Sequence, residues 1–219
     1  MQKKYLKQTL FSQFIFMALL SFFLTALISV FWVFPRVFKM KENEQIELSK
    51  NIALKVENYL EKPEAILRSV SNFISSREGA ADYSEMLKLQ ISASESLQAI
   101  YMVGFDGRVV ELVLKYPNPG LEKDLASLDL SENPMVKEAI KYRKPAWSNT
   151  FLSLVEGGLA VGFAVPSKEY IVAGEIDLGY LSDYLRQITD DRDQMILILD
   201  KRGQVIADRS GHFTAQQLN

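Results

Sequence analysis

Glu175 is the residue of this chain with the most chemistry to offer. It stands in the run Val172-Ala173-Gly174-Glu175-Ile176. On such an apolar strand an inward carboxylate costs desolvation and would accept hydrogen bonds from an amine, while alternation alone leaves an outward position equally open. A second group lies upstream. Arg143 carries a planar fork that suits a carboxylate, Trp147 and Phe151 offer flat apolar walls, and Ser148 a hydroxyl. Each has a plainer use, Arg143 beside Lys144 as a solvated surface charge and Trp147 as a packing aromatic. Tyr101, within Ile100-Tyr101-Met102-Val103, is either core or a further hydroxyl. These residue types suit non-covalent capture of a small polar molecule.

Catalysis is poorly supplied. There is no cysteine and a single histidine, His212, in Arg209-Ser210-Gly211-His212, which reads as a surface loop. No phosphate-cradling glycine loop, H-E-x-x-H or G-x-S-x-G occurs. Asp190, Asp191 and Asp193 lack the glycine and distal glutamate of an EF-hand loop and read as a solvated connector. No catalytic residue, metal site or cofactor is expected.

The elements that must position these side chains begin with residues 11–34, twenty-four residues without a charge, enough to cross a bilayer as a helix. A signal peptide would be shorter and end in small residues, whereas this run ends in Phe31, Trp32, Val33 and Phe34. A buried helix of a soluble domain fits equally poorly. Trp32 and Phe34 suit the membrane boundary, and Arg36, Lys39 and Lys41 follow. Lys3, Lys4 and Lys7 balance them, so basic residues alone do not orient the span. Three of the 25 basic residues and none of the 27 acidic ones precede the run. The remainder is therefore acidic, which argues against a nucleic-acid surface.

After the membrane, Ile52, Val56, Tyr59, Ile66, Val70 and Phe73 recur at helical spacing with Pro63 on the same stripe. This predicts a stalk helix over 41–61, a kink at Pro63, and a second helix to residue 75. The part after Pro63 would pack on its own domain, and the membrane-proximal part would pair with a second copy as a short coiled coil. A helix over 82–90 capped by Asp82 or Ser84 comes next, then strands over 99–104 and 108–115 joined by Phe105-Asp106-Gly107, a strong hairpin signal. The stretch 116–120 breaks regular structure. Asn133-Pro134 reads as a cap and first residue of a helix through Tyr142. Strands over 159–165 and 170–176 and a helix carrying Leu178, Leu181, Leu185 and Ile188 complete an antiparallel α+β plan.

The chain then repeats itself. Laying Gly203 on Gly107, an offset of 96, matches Ile196 with Ile100, Ile198 with Met102, Leu199 with Val103, Val205 with Val109 and Ile206 with Val110. A second module is expected to begin near Asp193 and to be incomplete at Asn219.

In this order of parts the chain resembles the double-Cache sensor regions of bacterial transmembrane receptors. The residues that carry the resemblance are the apolar run, VENYLEKPEAILRSVSNFI, AIYMVGFDGRVVE, RKPAWSNTFLS, LAVGFAVPSKEYIVAGEIDLGYL and MILILDKRGQVIAD. It implies PAS-like modules, a cytoplasmic tail (1–10), a membrane helix (11–34), stalk and amino-terminal helices (35–75), a membrane-distal Cache domain (76–192) and a second module from 193. It further implies a domain outside the plasma membrane, a homodimer paired through the stalk, and signalling to a histidine kinase or diguanylate cyclase output. A pocket between the sheet and its covering loop and helix would gather Tyr101, Arg143, Trp147, Ser148, Phe151 and Glu175. Amino-acid-binding members carry an arginine directly before a Trp-Tyr pair and an aspartate on a late strand. Here Arg143 stands further from Trp147, Ser148 replaces the tyrosine and Glu175 the aspartate. The departures weaken an amino-acid ligand and leave a carboxylic acid or other small anion open, the alternative being a tethered PAS-like module that binds protein or serves as a spacer.

Overall fold

The computed structural model describes residues 2–76, 83–188 and 195–210, with side chains from Phe14 onward. The chain divides into two compact units, 1–55 and 56–219.

The first unit is helical throughout. Helix α1 (Gln2–Ile28) passes through a π-helical turn (Ser29–Val33) into α2 (Phe34–Ser76). The apolar run within it reaches a mean hydropathy of 2.5, long and apolar enough to cross a membrane. The hydroxyls of Ser21 and Thr25 donate to the carbonyls of Met17 and Ser21, so these polar groups are satisfied inside the helix. At the π turn the Phe34 N–H donates to the Ser29 carbonyl, five residues back. The Arg36 guanidinium lies 4.7 Å from the centre of the Trp32 ring.

The second unit opens with the last turns of α2. The two helices expected on either side of Pro63 are one, since α2 runs unbroken to Ser76. Pro63 removes one hydrogen bond, but it is itself buried. Leu67, Val70 and Ile74 follow it into the core at helical spacing and hold the helix after the proline. The buried stripe is thus Pro63, Leu67, Val70 and Ile74, while Phe73 remains exposed. Helix α3 (Ser84–Ser92) begins after Tyr83 without a side-chain cap. Ser84 is its first residue, and Asp82 lies outside the described residues.

An antiparallel sheet follows. Its strands are β1 (Leu97–Gly104), β2 (Val109–Leu114), β3 (Ala146–Trp147), β4 (Phe151–Leu152), β5 (Leu159–Pro166) and β6 (Tyr170–Asp177), in the order β2-β1-β6-β5-β3 with β4 also on β5. One face receives α2, packed so closely that a Cβ on Gly174 would stand 2.6 Å from Leu67 Cδ1. The other carries α4 (Pro119–Ala126) and α5 (Pro134–Tyr142), with Leu125, Met135, Val136 and Ala139 over Ala99, Val103, Ala164 and Ala173. Helix α4 replaces part of the loop expected over 116–120. The Asn118 side chain accepts the Leu121 N–H at 3.2 Å ahead of Pro119, so this Asn-Pro pair starts a helix as the next one does.

In α5 the Asn133 side chain accepts the Met135 and Val136 N–H groups at 3.1 and 3.4 Å. Asn133→Ala is expected to cost about 1 kcal/mol, read as a lower urea midpoint at unchanged slope for the full chain in detergent. An unchanged midpoint would show that the cap contributes nothing.

Helix α6 (Gly179–Ile188) buries Leu181 and Leu185, and Tyr180 stacks on Tyr59 of α2 at 4.9 Å. A separate hairpin ends the described chain, β7 (Leu197–Leu199) and β8 (Val205–Asp208). The 96-residue offset holds in its register. Met102 pairs Glu111 and Val103 pairs Val109 across a bulge in the first hairpin; Ile198 pairs Ala207 and Leu199 pairs Val205 across the equivalent bulge in the second. Both turns place glycine in the left-handed region, Gly107 at φ 86° and Gly203 at φ 80°. Asp106 does not share that conformation, so the turn depends on its glycine. His212, Asp190, Asp191 and Asp193 lie outside the described residues.

Candidate functional site

Strand β6 is buried along nearly its whole length because sheet and helices cover both its faces, and that decides the position of Glu175. Opposite it stand Ala99 on β1 and Gly162 on β5. By alternation these three, with Tyr101, Ala164 and Ala173, share the face under α4 and α5. The lining beside the carboxylate is small. Met135 of α5 fills the space over Gly162, where a Cβ would come 2.9 Å from its sulfur and 3.4 Å from Ser148 Oγ.

Glu175 is 5% exposed. The Tyr101 hydroxyl donates to its Oε2 at 3.2 Å, and its Oε1 has no hydrogen-bond partner among the described residues. Burial, helped by the nearby carboxylates of Glu156 and Asp177, raises its pKa above the ordinary carboxylate value, against the opposing hydrogen bond from Tyr101. Burial and the Glu175 charge likewise raise the phenol of Tyr101.

The Ser153 hydroxyl has one proton, and donates it to Gln98 Oε1 at 3.2 Å. Its oxygen accepts the backbone N–H groups of Val155 and Glu156 at 3.0 and 3.2 Å. Gln98 in turn donates to Glu156 Oε2 at 2.8 Å. Gln98 reaches this position because it is the extra residue of a bulge between Leu97 and Ala99 on β1. A polar chain therefore runs from the buried Glu175 past Ser153 and Gln98 to the exposed Glu156.

The segment from Ser148 to Ser153 faces two ways. Ser148 Oγ accepts the Gly162 N–H at 2.8 Å on the Glu175 side. Two residues on, the Thr150 hydroxyl donates to Asp200 Oδ2 at 2.8 Å and Arg202 reaches the Thr150 carbonyl at 3.1 Å, tying in the turn of the β7–β8 hairpin. Burial opposes ionisation of Asp200, but hydrogen bonds from Gln204, Thr150 and Arg202 outweigh it and bring the carboxyl down to about 2.

The six residues singled out in the sequence separate into two groups. Tyr101, Ser148 and Glu175 come together. Phe151, opposite Ala160, lies at the edge of the same face, 37% exposed. Trp147 points the other way. Its cross-strand partner is Phe163, the two rings are 4.5 Å apart, and Phe163 also carries Arg68 of α2. Arg143 caps α5 in the left-handed region and lays its guanidinium 3.7 Å from the centre of the Phe105 ring. It offers no fork to a carboxylate beside Glu175. Gln98, Ser153, Glu156, Gly162 and Met135 carried no sequence signal as site residues, because a bulge, a two-residue strand and a helix approach brought them in.

The arrangement suits a cationic group, which would pair with the carboxylate and accept no proton from it. Among the described residues no three His, Cys, Asp or Glu side chains stand together as a metal site.

No family model matches the sequence, and no curated protein matches it. Solved structures do. The sensory domain of the Campylobacter jejuni chemoreceptor Tlp3 matches with a TM-score of 0.65 at 13% identity, over 80% of this chain and 74% of that one. The ligand-binding domain of the Pseudomonas aeruginosa amino-acid chemoreceptor PctC, solved with GABA, matches with a TM-score of 0.59 at 14% identity, over 80% and 78%. An extracellular ligand-binding receptor from Desulfohalobium retbaense matches with a TM-score of 0.62 at 13% identity; 74% of this chain is covered, and it spans 30% of that receptor's length. At such identities the likeness is one of fold. The fold is that of Cache-type sensory domains, an α+β sheet module behind a long amino-terminal helix.

Proposed function

On a fold shared with ligand-binding sensory domains, we propose that this chain is the extracytoplasmic sensing region of a bacterial membrane receptor whose ligand presents a protonated amine. The observation that carries this reading is the buried Glu175 carboxylate, bonded by Tyr101 on one oxygen and unpartnered on the other among the described residues. An ammonium there would gain a charge-assisted hydrogen bond in a water-poor setting. It would also offset the desolvation that holds the pKa of Glu175 up. Arg143, stacked on Phe105, gives no support to an anionic ligand.

In this reading residues 11–34 cross the plasma membrane with the amino terminus inside, and the stalk pairs with a second copy. The output is a histidine kinase or a diguanylate cyclase. Ligand would drive signalling only by favouring one helix arrangement over another.

Thermal unfolding of the full chain in nanodiscs tests the ligand class. L-serine, 4-aminobutyrate and butylamine are expected to raise the midpoint, increasingly so as pH rises and Glu175 ionises, while succinate is not. Stabilisation by succinate alone, or by none of the four, would overturn the proposal.

A further inference from the structure

Strands β3 and β4 are one edge strand with a fault in it. On β5, Ala146 and Trp147 pair Ala164 and Phe163, while Phe151 and Leu152 pair Ala160 and Leu159, so the three residues 148–150 stand opposite the two residues 161–162. That is a bulge of one extra residue. Ser148 closes it on the β5 side, where its N–H donates to the Gly162 carbonyl and its Oγ accepts the Gly162 N–H, both at 2.8 Å. Gly162 is in turn the partner of Glu175 on β6. Ser148, Gly162 and Glu175 therefore form one row across the sheet.

At its other end the bulge presents Thr150 to the turn of the β7–β8 hairpin. The Thr150 hydroxyl donates to Asp200 Oδ2 at 2.8 Å, and one guanidinium nitrogen of Arg202 lies 3.1 Å from the Thr150 carbonyl and 2.9 Å from its hydroxyl oxygen. Asp200 also accepts the N–H groups of Arg202 and Gln204 at 2.8 and 3.0 Å, so one carboxylate ties the turn to itself and to the bulge. The first hairpin is held differently. Its Gly107 packs against Ser131, whereas a Cβ on Gly203 would meet nothing within 4 Å. At the 96-residue offset Asp200 falls on Gly104, which has no carboxylate to offer. The polar knot is thus particular to the second hairpin.

We propose that this bulge couples the sheet face holding Glu175 to the second hairpin. The row Ser148, Gly162, Glu175 and the knot Thr150, Asp200, Arg202 share three consecutive residues, so a shift of β5 or β6 at the row loosens or tightens the knot, and a change at the knot acts back on the row. Two features suit the bulge to this. It lies on the edge, where β3 ends the strand order and no further strand among the described residues holds its outer side. The bonds at the Thr150 end run through side chains, which make or break by rotation and so give two discrete arrangements. The coupling holds whatever occupies the Glu175 face.

Amide hydrogen exchange of the full chain in nanodiscs, followed by mass spectrometry, tests this. Thr150→Val removes the hydroxyl at nearly unchanged shape, and is expected to speed exchange about fivefold or more in residues 197–208 and, across the bulge, in residues 159–165, with the first hairpin (99–114) unchanged. Thr150→Ser keeps the hydroxyl and is expected to match the original chain. In the reverse direction Ser148→Ala is expected to speed 197–208 by a similar factor, although the Ser148 hydroxyl bonds Gly162 and Asn149 rather than the hairpin. Acceleration confined to 197–208 in Thr150→Val would overturn the coupling, as would an unchanged 197–208 in Ser148→Ala or a Thr150→Ser variant as fast as Thr150→Val. Acceleration of 99–114 together with the rest would overturn it too, because the whole sheet would then have loosened.

Discussion

Gly107→Ala is expected to cost about 4 kcal/mol and Gly203→Ala only about 1 to 2 kcal/mol, although the two glycines occupy the same place in the same kind of turn. Both sit at positive φ, 86° and 80°, where a Cβ crowds its own backbone. That shared cost is about 1–2 kcal/mol. The difference comes from what packs outside. A Cβ on Gly107 would stand 2.4 to 2.5 Å from Cβ, Cα and N of Ser131, and two of those atoms are backbone that cannot rotate away. The contact is fixed because Leu130 N–H donates to the Gly107 carbonyl at 2.7 Å. A Cβ on Gly203 meets nothing within 4 Å. Urea unfolding of both variants in detergent reads the contrast, and equal losses would mean that the Ser131 loop gives way at little cost.

Glu175→Gln is expected to move stability and binding in opposite directions. In the native state burial raises the carboxyl pKa above its ordinary 4.5, so the folded chain holds that proton more tightly than the unfolded one. The contribution of Glu175 to stability is therefore fully present below pH 4.5, is lost as pH rises through the folded-state value, and levels off above it. Glutamine has no charge to desolvate, so the variant is expected to be more stable than the original at neutral pH by about 1–3 kcal/mol. Its melting temperature should also vary less with pH across that window. Amine affinity is expected to fall by about 2–5 kcal/mol, roughly thirtyfold or more, because the buried partner charge is gone. A residue serving only the fold would lose stability on substitution. Unchanged amine affinity in Glu175→Gln would remove it from the site.

Much of the architecture was legible along the chain. The uncharged run, the helical spacing around Val70, the Asn133-Pro134 cap and both glycine turns are local signals carried by neighbouring residues, although the stripe read through Ile66 and Phe73 is buried through Leu67 and Ile74. Even the repeat was visible, and the paired bulges give it a structural basis. Two features escaped that reading for identifiable reasons. Asn118-Pro119 was read as a breaker, though it is the same start signal as Asn133-Pro134. The strands at Ala146–Trp147 and Phe151–Leu152 are too short to show any period.

The candidate site was half legible. Glu175 could be picked out because a carboxylate within an apolar run is costly wherever it is buried. Its direction, and that of Trp147 and Ser148, depended on pairing. Ser148 turns to Gly162 and the Glu175 face, and Trp147 to Phe163 and the α2 face, since adjacent strand residues take opposite sides. By itself the amino-acid sequence determined that the chain carries a membrane-length helix, a long helix after it, an α+β sheet module and a buried-acid candidate, all properties of residues close in the chain. Only the tertiary structure decided that Tyr101 meets Glu175, that a bulge brings Gln98 to Glu156, and that Arg143 turns away onto Phe105. Strand register and helix approach set those contacts, and both arise between segments far apart in sequence, where no periodicity or cap records them.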